Sequence, residues 1–261
     1  MTDKRKIIRG SGGGGSPPPP RQPTRTPDTL HSKQFATFLD LISEGEIEGS
    51  ATASKEGITD RTSAAYTNAY LKDVFLNDTP ILKATASSSS PTDTDFNFQN
   101  VTFTPRFGTA DQTKISGIES SSSITPVGVT VTASSPVTRQ ITNTNVDRIK
   151  VTITFPQIQK ATNDGDLLGS TVEYKISVQY NSGGFTDVIT SANGGKVTGR
   201  TADAYQRDHS IAITGSFPVD IRVSRVTADS TDTSLIDAFQ FTSFAEIIDD
   251  ASTYANSAYN A

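Results

Sequence analysis

Val172-Glu173-Tyr174-Lys175-Ile176-Ser177-Val178-Gln179-Tyr180, then Asn181-Ser182-Gly183-Gly184, then Phe185-Thr186-Asp187-Val188-Ile189-Thr190 is the stretch on which the fold turns. Its first nine residues alternate with period two. Val172, Tyr174, Ile176, Val178 and Tyr180 share one face, and Glu173, Lys175, Ser177 and Gln179 share the other. Successive side chains of a strand point to opposite faces, so this alternation describes a half-buried strand. The Gly pair predicts a tight reversal through positive φ, and Phe185 to Thr190 returns as the second strand of a hairpin.

The same period recurs on both sides of the hairpin. Ile149, Val151, Ile153 and Phe155 alternate with Arg148, Lys150, Thr152 and Thr154, and Pro156, which cannot donate to a ladder, closes the run. Asp73 to Leu82 reads as a shorter hairpin turning at Asn77-Asp78. Further strands are expected at Phe96–Phe103, Val127–Thr132, Ser210–Thr214, Asp220–Val226 and Phe239–Ile248. A short helix is expected within Asp60–Lys72. The Ser/Thr-rich stretches Thr85–Thr94 and Ser120–Thr125 read as surface loops. The class is mainly β.

Composition narrows the chemistry. Of 261 residues, 37 are Thr and 30 are Ser; Cys and Trp are absent, and there are two His. Without Cys there is no disulfide frame, no thiolate metal site and no cysteine nucleophile. His31 and His209 cannot build a three-His metal centre. No stretch approaches the ~20 apolar residues that span a bilayer, and the basic N-terminus leads into Gly and Pro rather than an apolar signal core. Neither membrane insertion nor a cofactor is expected.

Charge divides the chain. Residues 1–30 carry six basic and two acidic residues, a net of +4, which leaves the rest at −9. This first segment holds Gly12–Gly15 and Pro17–Pro20 and has little to bury, so it reads as a flexible arm whose removal should barely move the thermal transition. Six charges without interleaved aromatics make at most non-specific phosphate contacts, so no specific nucleic-acid partner is expected.

Four constellations invite chemistry and fail on spacing. Gly195-Lys196 has Thr190 and Val197 where a phosphate loop needs Gly and Ser or Thr. Glu44, Glu46 and Glu48 alternate beside glycines and read as a solvated edge rather than an acid–base pair. Asn163-Asp164-Gly165-Asp166 lacks the alternating ligands and distal Glu of a calcium loop. His209 has no nucleophile elbow to serve and reads as a surface or strand-end residue. No catalytic, cofactor-binding or metal-binding residue is assigned, and the chain reads as a non-enzyme.

Specific strings then carry a resemblance. Leu41-Ile42-Ser43-Glu44-Gly45-Glu46-Ile47-Glu48-Gly49 is similar to a string near the start of the host-specificity (tip attachment) protein J family of lambda-like long-tailed phages. Val74-Phe75-Leu76-Asn77-Asp78-Thr79-Pro80-Ile81 resembles that family's next hairpin. Pro136 to Thr142 with Val146 to Ile149, and Ile221 to Thr231 with Ala245 to Asp249, resemble two more strings in the same order.

The resemblance implies a virion structural protein at the distal tail tip. It would be a central baseplate hub, homotrimeric, that closes the tail tube and contacts the tape measure, the distal tail protein and other tip proteins. Host attachment would pass through downstream or partner regions, because this chain is several times shorter than family members. It also implies a β-sheet hub domain from residues 31–105 plus 202–261, with residues 106–201 as an inserted β-sandwich-like lobe and 1–30 as a disordered arm. Arg222 and Arg225 lie three apart on a predicted strand and so point to opposite faces. One of them is expected to pair with Asp229 or another internal carboxylate, while the other faces solvent or a partner. These three are the assembly candidates. The rival readings are a carbohydrate-binding or adhesin β-sandwich and, below it, a tail-associated hydrolase using one of Glu44, Glu46 or Glu48.

Overall fold

In the computed structural model, which describes residues 21–33 and 35–261, the chain builds a smaller unit from its two ends and a β-sandwich from its middle. The smaller unit begins with β1 (Asp40–Glu44), α1 (Ala51–Lys55) and α2 (Ala64–Leu71). It continues through β2 (Phe75–Leu76), β3 (Thr79–Pro80) and β4 (Pro105–Phe107). Each helix starts at a serine. Ser50 accepts from the Ala53 amide at 3.0 Å and Ser63 from the Tyr66 amide at 3.1 Å, satisfying donors that the first turn leaves free. Asp73 then ties α1 down by accepting from Ser50 Oγ, the Thr52 amide and Thr52 Oγ1 at 2.6, 3.0 and 2.6 Å. Burial pushes the Asp73 carboxyl up, but these bonds outweigh it and hold it below its usual range.

The predicted turn at Asn77-Asp78 is present. Both residues have positive φ, 48° and 60°, as a two-residue reversal requires. Beneath it, Tyr66, Tyr70, Phe103 and Phe107 meet edge-on or stacked at centroid distances of 5.1 to 6.5 Å. Gly49 has φ +109°, and a Cβ there would collide with the Tyr66 hydroxyl. Phe96–Phe103 forms no strand. It makes one bridge, Leu82 with Phe96, and serves instead as an aromatic wedge under the helices, because Phe96, Phe98 and Phe103 all pack into the local core.

The sandwich follows. Its strands are β5 (Glu119–Thr130), β6 (Val137–Ile141), β7 (Arg148–Phe155), β8 (Gln159–Ala161), β9 (Leu167–Leu168) and β10 (Ser170–Tyr180). They continue with β11 (Phe185–Ile189), β12 (Lys196–Gly199), β13 (Tyr205–Ala212), β14 (Val219–Arg225), β15 (Leu235–Ile236) and β16 (Gln240–Asp249). One sheet runs β13-β7-β16-β5 and the other β11-β10-β14-β6, with β12 on the first residues of β10. One cluster of 22 buried apolar residues joins the two, including Ile149, Val151, Ile153 and Phe155 from one sheet and Val172, Tyr174, Ile176 and Val178 from the other. The alternation read from sequence is therefore the inward face of each sheet. The hairpin turn differs in detail: Asn181 and Ser182 take φ 44° and 60°, and only Gly184 of the pair is positive.

The last strand, β17 (Ser257–Asn260), returns to the smaller unit and sits between β1 and β4.

Three sequence expectations are corrected. Ser120–Thr125 is part of β5, with Ser121–Thr125 paired residue by residue with β16 from Ile248 to Phe244 and Ser120 at a register shift. Its hydroxyl side chains stay exposed because β5 is the sheet's outer strand. The lobe does not end at residue 201: β13 pairs with β7, β14 with β10 and β6, and β16 with β5 and β7, so a boundary there would cut both sheets. The sandwich spans 119–249. The flexible arm assigned to 1–30 lies outside the described residues over 1–20, while residues 21–30 run along the sandwich, bonded to β9 and to Arg200.

Candidate assembly surfaces

Arg225 ends β14 facing inward and is buried. Its Nη2 donates to Asp237 Oδ2 at 2.7 Å, Nη1 to the Asp237 carbonyl at 2.8 Å and Nε to the Thr227 carbonyl at 3.0 Å. Asp229 approaches Nε at 3.3 Å and also accepts from the Ala133 amide, joining the β14 exit to the β5–β6 loop. The guanidinium lies 5.8 Å over the Phe239 ring. Arg225 is thus consumed within the fold, where a buried cation needs this many partners.

Arg222 is on the opposite face, three residues earlier. It stacks 3.9 Å over Phe185 of β11, and its buried Nε has no hydrogen-bond partner. The structure therefore brings Arg225 and Asp229 together and leaves Arg222 apart, across the sheet.

The carboxylates weighed as catalysts do not converge. Glu44, Glu46 and Glu48 are all exposed, and Glu46 meets Arg61 at 3.4 Å. Asp166 of the Asn163–Asp166 turn is held by the N-terminal segment: Thr24 N donates to it at 2.6 Å and Arg21 Nη2 at 2.6 Å, which lowers its pKa. Among the described residues no cluster of His, Cys, Asp and Glu could hold a metal.

His209 is neither at the surface nor at a strand end. It sits in the middle of β13, 8% exposed, with Nε2 2.7 Å from the Tyr174 hydroxyl. Burial, with repulsion from Arg207, depresses its pKa to about 4, and burial pushes Tyr174 up to about 12. The missed signal is its parity: His209 shares a face with Tyr205 and Ile211.

Arg148 ties the two ends of the sandwich to each other where the chain enters and leaves it. It reaches Asp249 from Nε at 2.8 Å and from Nη2 at 2.6 Å, with Glu119 at 3.9 Å, a bidentate fork beside the chain crossings at Ile118 and Asp250.

The most exposed apolar surface is outside the sandwich. Phe35, Phe38, Leu39, Leu41 and Ile42 are exposed within eight residues, Phe35 at 83% and Phe38 at 77%, leading into β1, an outer strand of its sheet. Phe75 and Leu76 of β2 are exposed as well. On the sandwich, an open cleft of about 450 Å³ lies between β10–β11 and β13, lined by Val178, Val188, Ile189 and Ile211 among others. The side chains named on these surfaces are apolar.

Comparison with known proteins agrees with this arrangement. The family model for the FNIII-A domain of tip attachment protein J matches residues 121–250, which is the sandwich. Tip attachment protein J of Escherichia phage SECphi4 is 32% identical over 229 residues, covering 87% of this chain and 18% of that protein. Its counterpart in Escherichia phage SECphi27 is 30% identical over 180 residues, 69% of this chain and 14% of that protein. The chain thus spans less than a fifth of the length of these curated relatives.

Proposed function

The chain belongs to the tip attachment protein J family, whose FNIII-A domain it contains, and from that premise we propose that it is a structural protein of a phage tail tip. It acts by assembly: as a hub at the distal end it closes the tail tube and scaffolds its neighbours, without making or breaking covalent bonds. The observation that carries this reading is the reach of the similarity. It covers 87% of the chain, more than the sandwich alone, so the smaller unit that frames the sandwich shares it.

The physical features fit such a role. Outer strands β1 and β5 keep an edge free, and long free edges are otherwise a liability that soluble proteins blunt. The exposed apolar residues on and before β1 suit a surface that another subunit covers. We assign a homotrimer, with tape-measure, distal tail and other tip proteins as neighbours, and host attachment through regions beyond this chain. Arg222, stacked on Phe185 with Asp187 near it but no carboxylate in ion-pair contact, is the assembly candidate of the three arginine-cluster residues.

The test is genetic and structural together. Phage lacking this chain should yield particles with unfinished tails, and cryo-electron microscopy of complete tails should place the sandwich at the tip with threefold symmetry. Normal infectious particles without the chain, or its absence from purified virions by mass spectrometry, would overturn the assignment.

A further inference from the structure

Residues 21–32 occupy a groove that the sandwich does not fill by itself. Thr26 N donates to the Leu167 carbonyl at 2.8 Å and Leu167 N to the Thr24 carbonyl at 2.9 Å, a single parallel bridge between Arg25 and β9. Arg21 meets Asp166 at 2.6 Å and Asp164 at 3.4 Å. At the other end Arg200, 2% exposed, is paired with Asp28 and donates to the Thr26 carbonyl at 3.0 Å. Leu30 packs on the sandwich core and the Gln206 amide donates to Ser32 Oγ at 2.8 Å. Emptying this groove would take away the partners of the Arg200 guanidinium and of the Asp166 carboxylate, so an occupied groove is the stable one. Its charges suit this occupant: the Arg21 cation opposite Asp164 and Asp166, and the Asp28 anion opposite Arg200.

Nothing in the fold requires the occupant to come from the same chain. The strap reaches β1 through residues 33–39, and the described residues of that connector make no backbone hydrogen bond. The connector and the start of β1 carry the five exposed apolar residues, so this surface covers nothing within its own chain. At ~150–250 Å² per fully exposed aromatic, Phe35 and Phe38 alone present roughly 250–400 Å², already the size of the largest patch on a typical monomer. Seven extended residues reach about 23 Å, enough to cross a subunit junction.

We propose that the strap and connector before β1, residues 21–39, are an exchange arm. In the assembled protein the strap of one copy seats in the β9–Arg200 groove of a second copy, and the apolar connector is buried between them. This rests on the assignment of several copies to one tip. The polar lock is the same in either arrangement, and the apolar connector favours the exchanged one, which makes exchange a low-cost route to association.

The absence of cysteine gives a clean test. A Cβ built at Gly165 lies 3.4 Å from Pro23 Cβ, close to the ~3.8 Å that a disulfide needs. Full-length Pro23→Cys and Gly165→Cys single variants are mixed, concentrated and oxidised. A short tether holds its own strap at a millimolar effective concentration. The expected yield of covalent heterodimer therefore rises from under about a tenth at micromolar protein toward about half near 1 mM. Phe35→Ser with Phe38→Ser should lower that yield several-fold. The double Pro23→Cys/Gly165→Cys variant checks the groove by closing at every concentration. Closure only within single chains, with no heterodimer at any concentration, overturns exchange; failure of the double variant to close, with the Gly165→Cys single variant folded like the wild type by circular dichroism despite its φ of +82°, overturns the groove itself. Mass spectrometry of virions reads tail membership separately, so either conclusion can fall without the other.

Discussion

The sandwich and the smaller unit solve the stability problem differently. The sandwich draws 22 buried apolar residues from two sheets into one core. The smaller unit has two clusters, of four and three buried apolar residues, and depends on serine caps, the Asp73 network and interlocked aromatic rings. Exposure runs the other way. Five large apolar residues are exposed on the sandwich, against nine among the described residues outside it, which are fewer in number. A segment that cannot bury its apolar side chains internally gains stability only when something else covers them. The sandwich carries its own core and needs only the strap of residues 21–32 beside it, and the smaller unit is built to be completed.

The largest effect should come from the sandwich core. Phe239 is fully buried, 5.2 Å from the Phe155 ring and 5.5 Å from Tyr174, so Phe239→Ala should cost about 3–5 kcal/mol in chemical denaturation. A loss below about 1 kcal/mol would mean that the sandwich does not carry the fold.

Acid should weaken the same core next. His209 stays neutral in the fold down to about pH 4, whereas the unfolded chain takes up its proton near the ordinary 6.5. Its contribution is intact above pH 6.5 and is lost as pH falls from 6.5 to 4, by at most about 3 kcal/mol. His209→Gln should flatten that part of the stability–pH curve, and an unchanged slope would place the titration elsewhere.

The strap ranks third. Asp28→Ala leaves the buried Arg200 without its carboxylate and should cost about 1–3 kcal/mol, read as a lower Tm. This replaces the sequence-based expectation that removing residues 1–30 barely matters. An unchanged Tm would restore it.

The smallest change probes the smaller unit alone. Asp73→Ala removes three hydrogen bonds at the start of α1 and should cost about 1 kcal/mol, seen as faster amide exchange in α1 with the sandwich unaffected. Protection lost equally in β7 and β10 would show the two regions to be one cooperative unit and erase the comparison.

Much of the sandwich was legible because its strands obey a local rule. Period-two alternation at Ile149–Phe155 and Val172–Tyr180 translates directly into the two inner faces. Ser120–Thr125 was not legible as strand, since an outer strand with both faces exposed leaves no apolar signature and is made only by its partner β16. Phe96–Phe103 erred the other way, because its phenylalanines pack into a local core and only Phe96 makes a bridge. Of the assembly candidates, the opposite facing of Arg222 and Arg225 followed from strand parity. The choice of Asp237 over Asp229 as the main partner of Arg225 depended on where β15 and β16 return.

Local periodicity, turn residues and the missing cysteine determined from sequence alone that this is a β protein without thiol chemistry, and four ordered strings pointed to its family. Only the tertiary structure decided where the sandwich ends, that the strap is locked to Arg200, and that the residues before β1 face outward. Those are pairings between segments more than a hundred residues apart, and contacts at that separation are set by which surfaces remain to be covered once the local elements have formed.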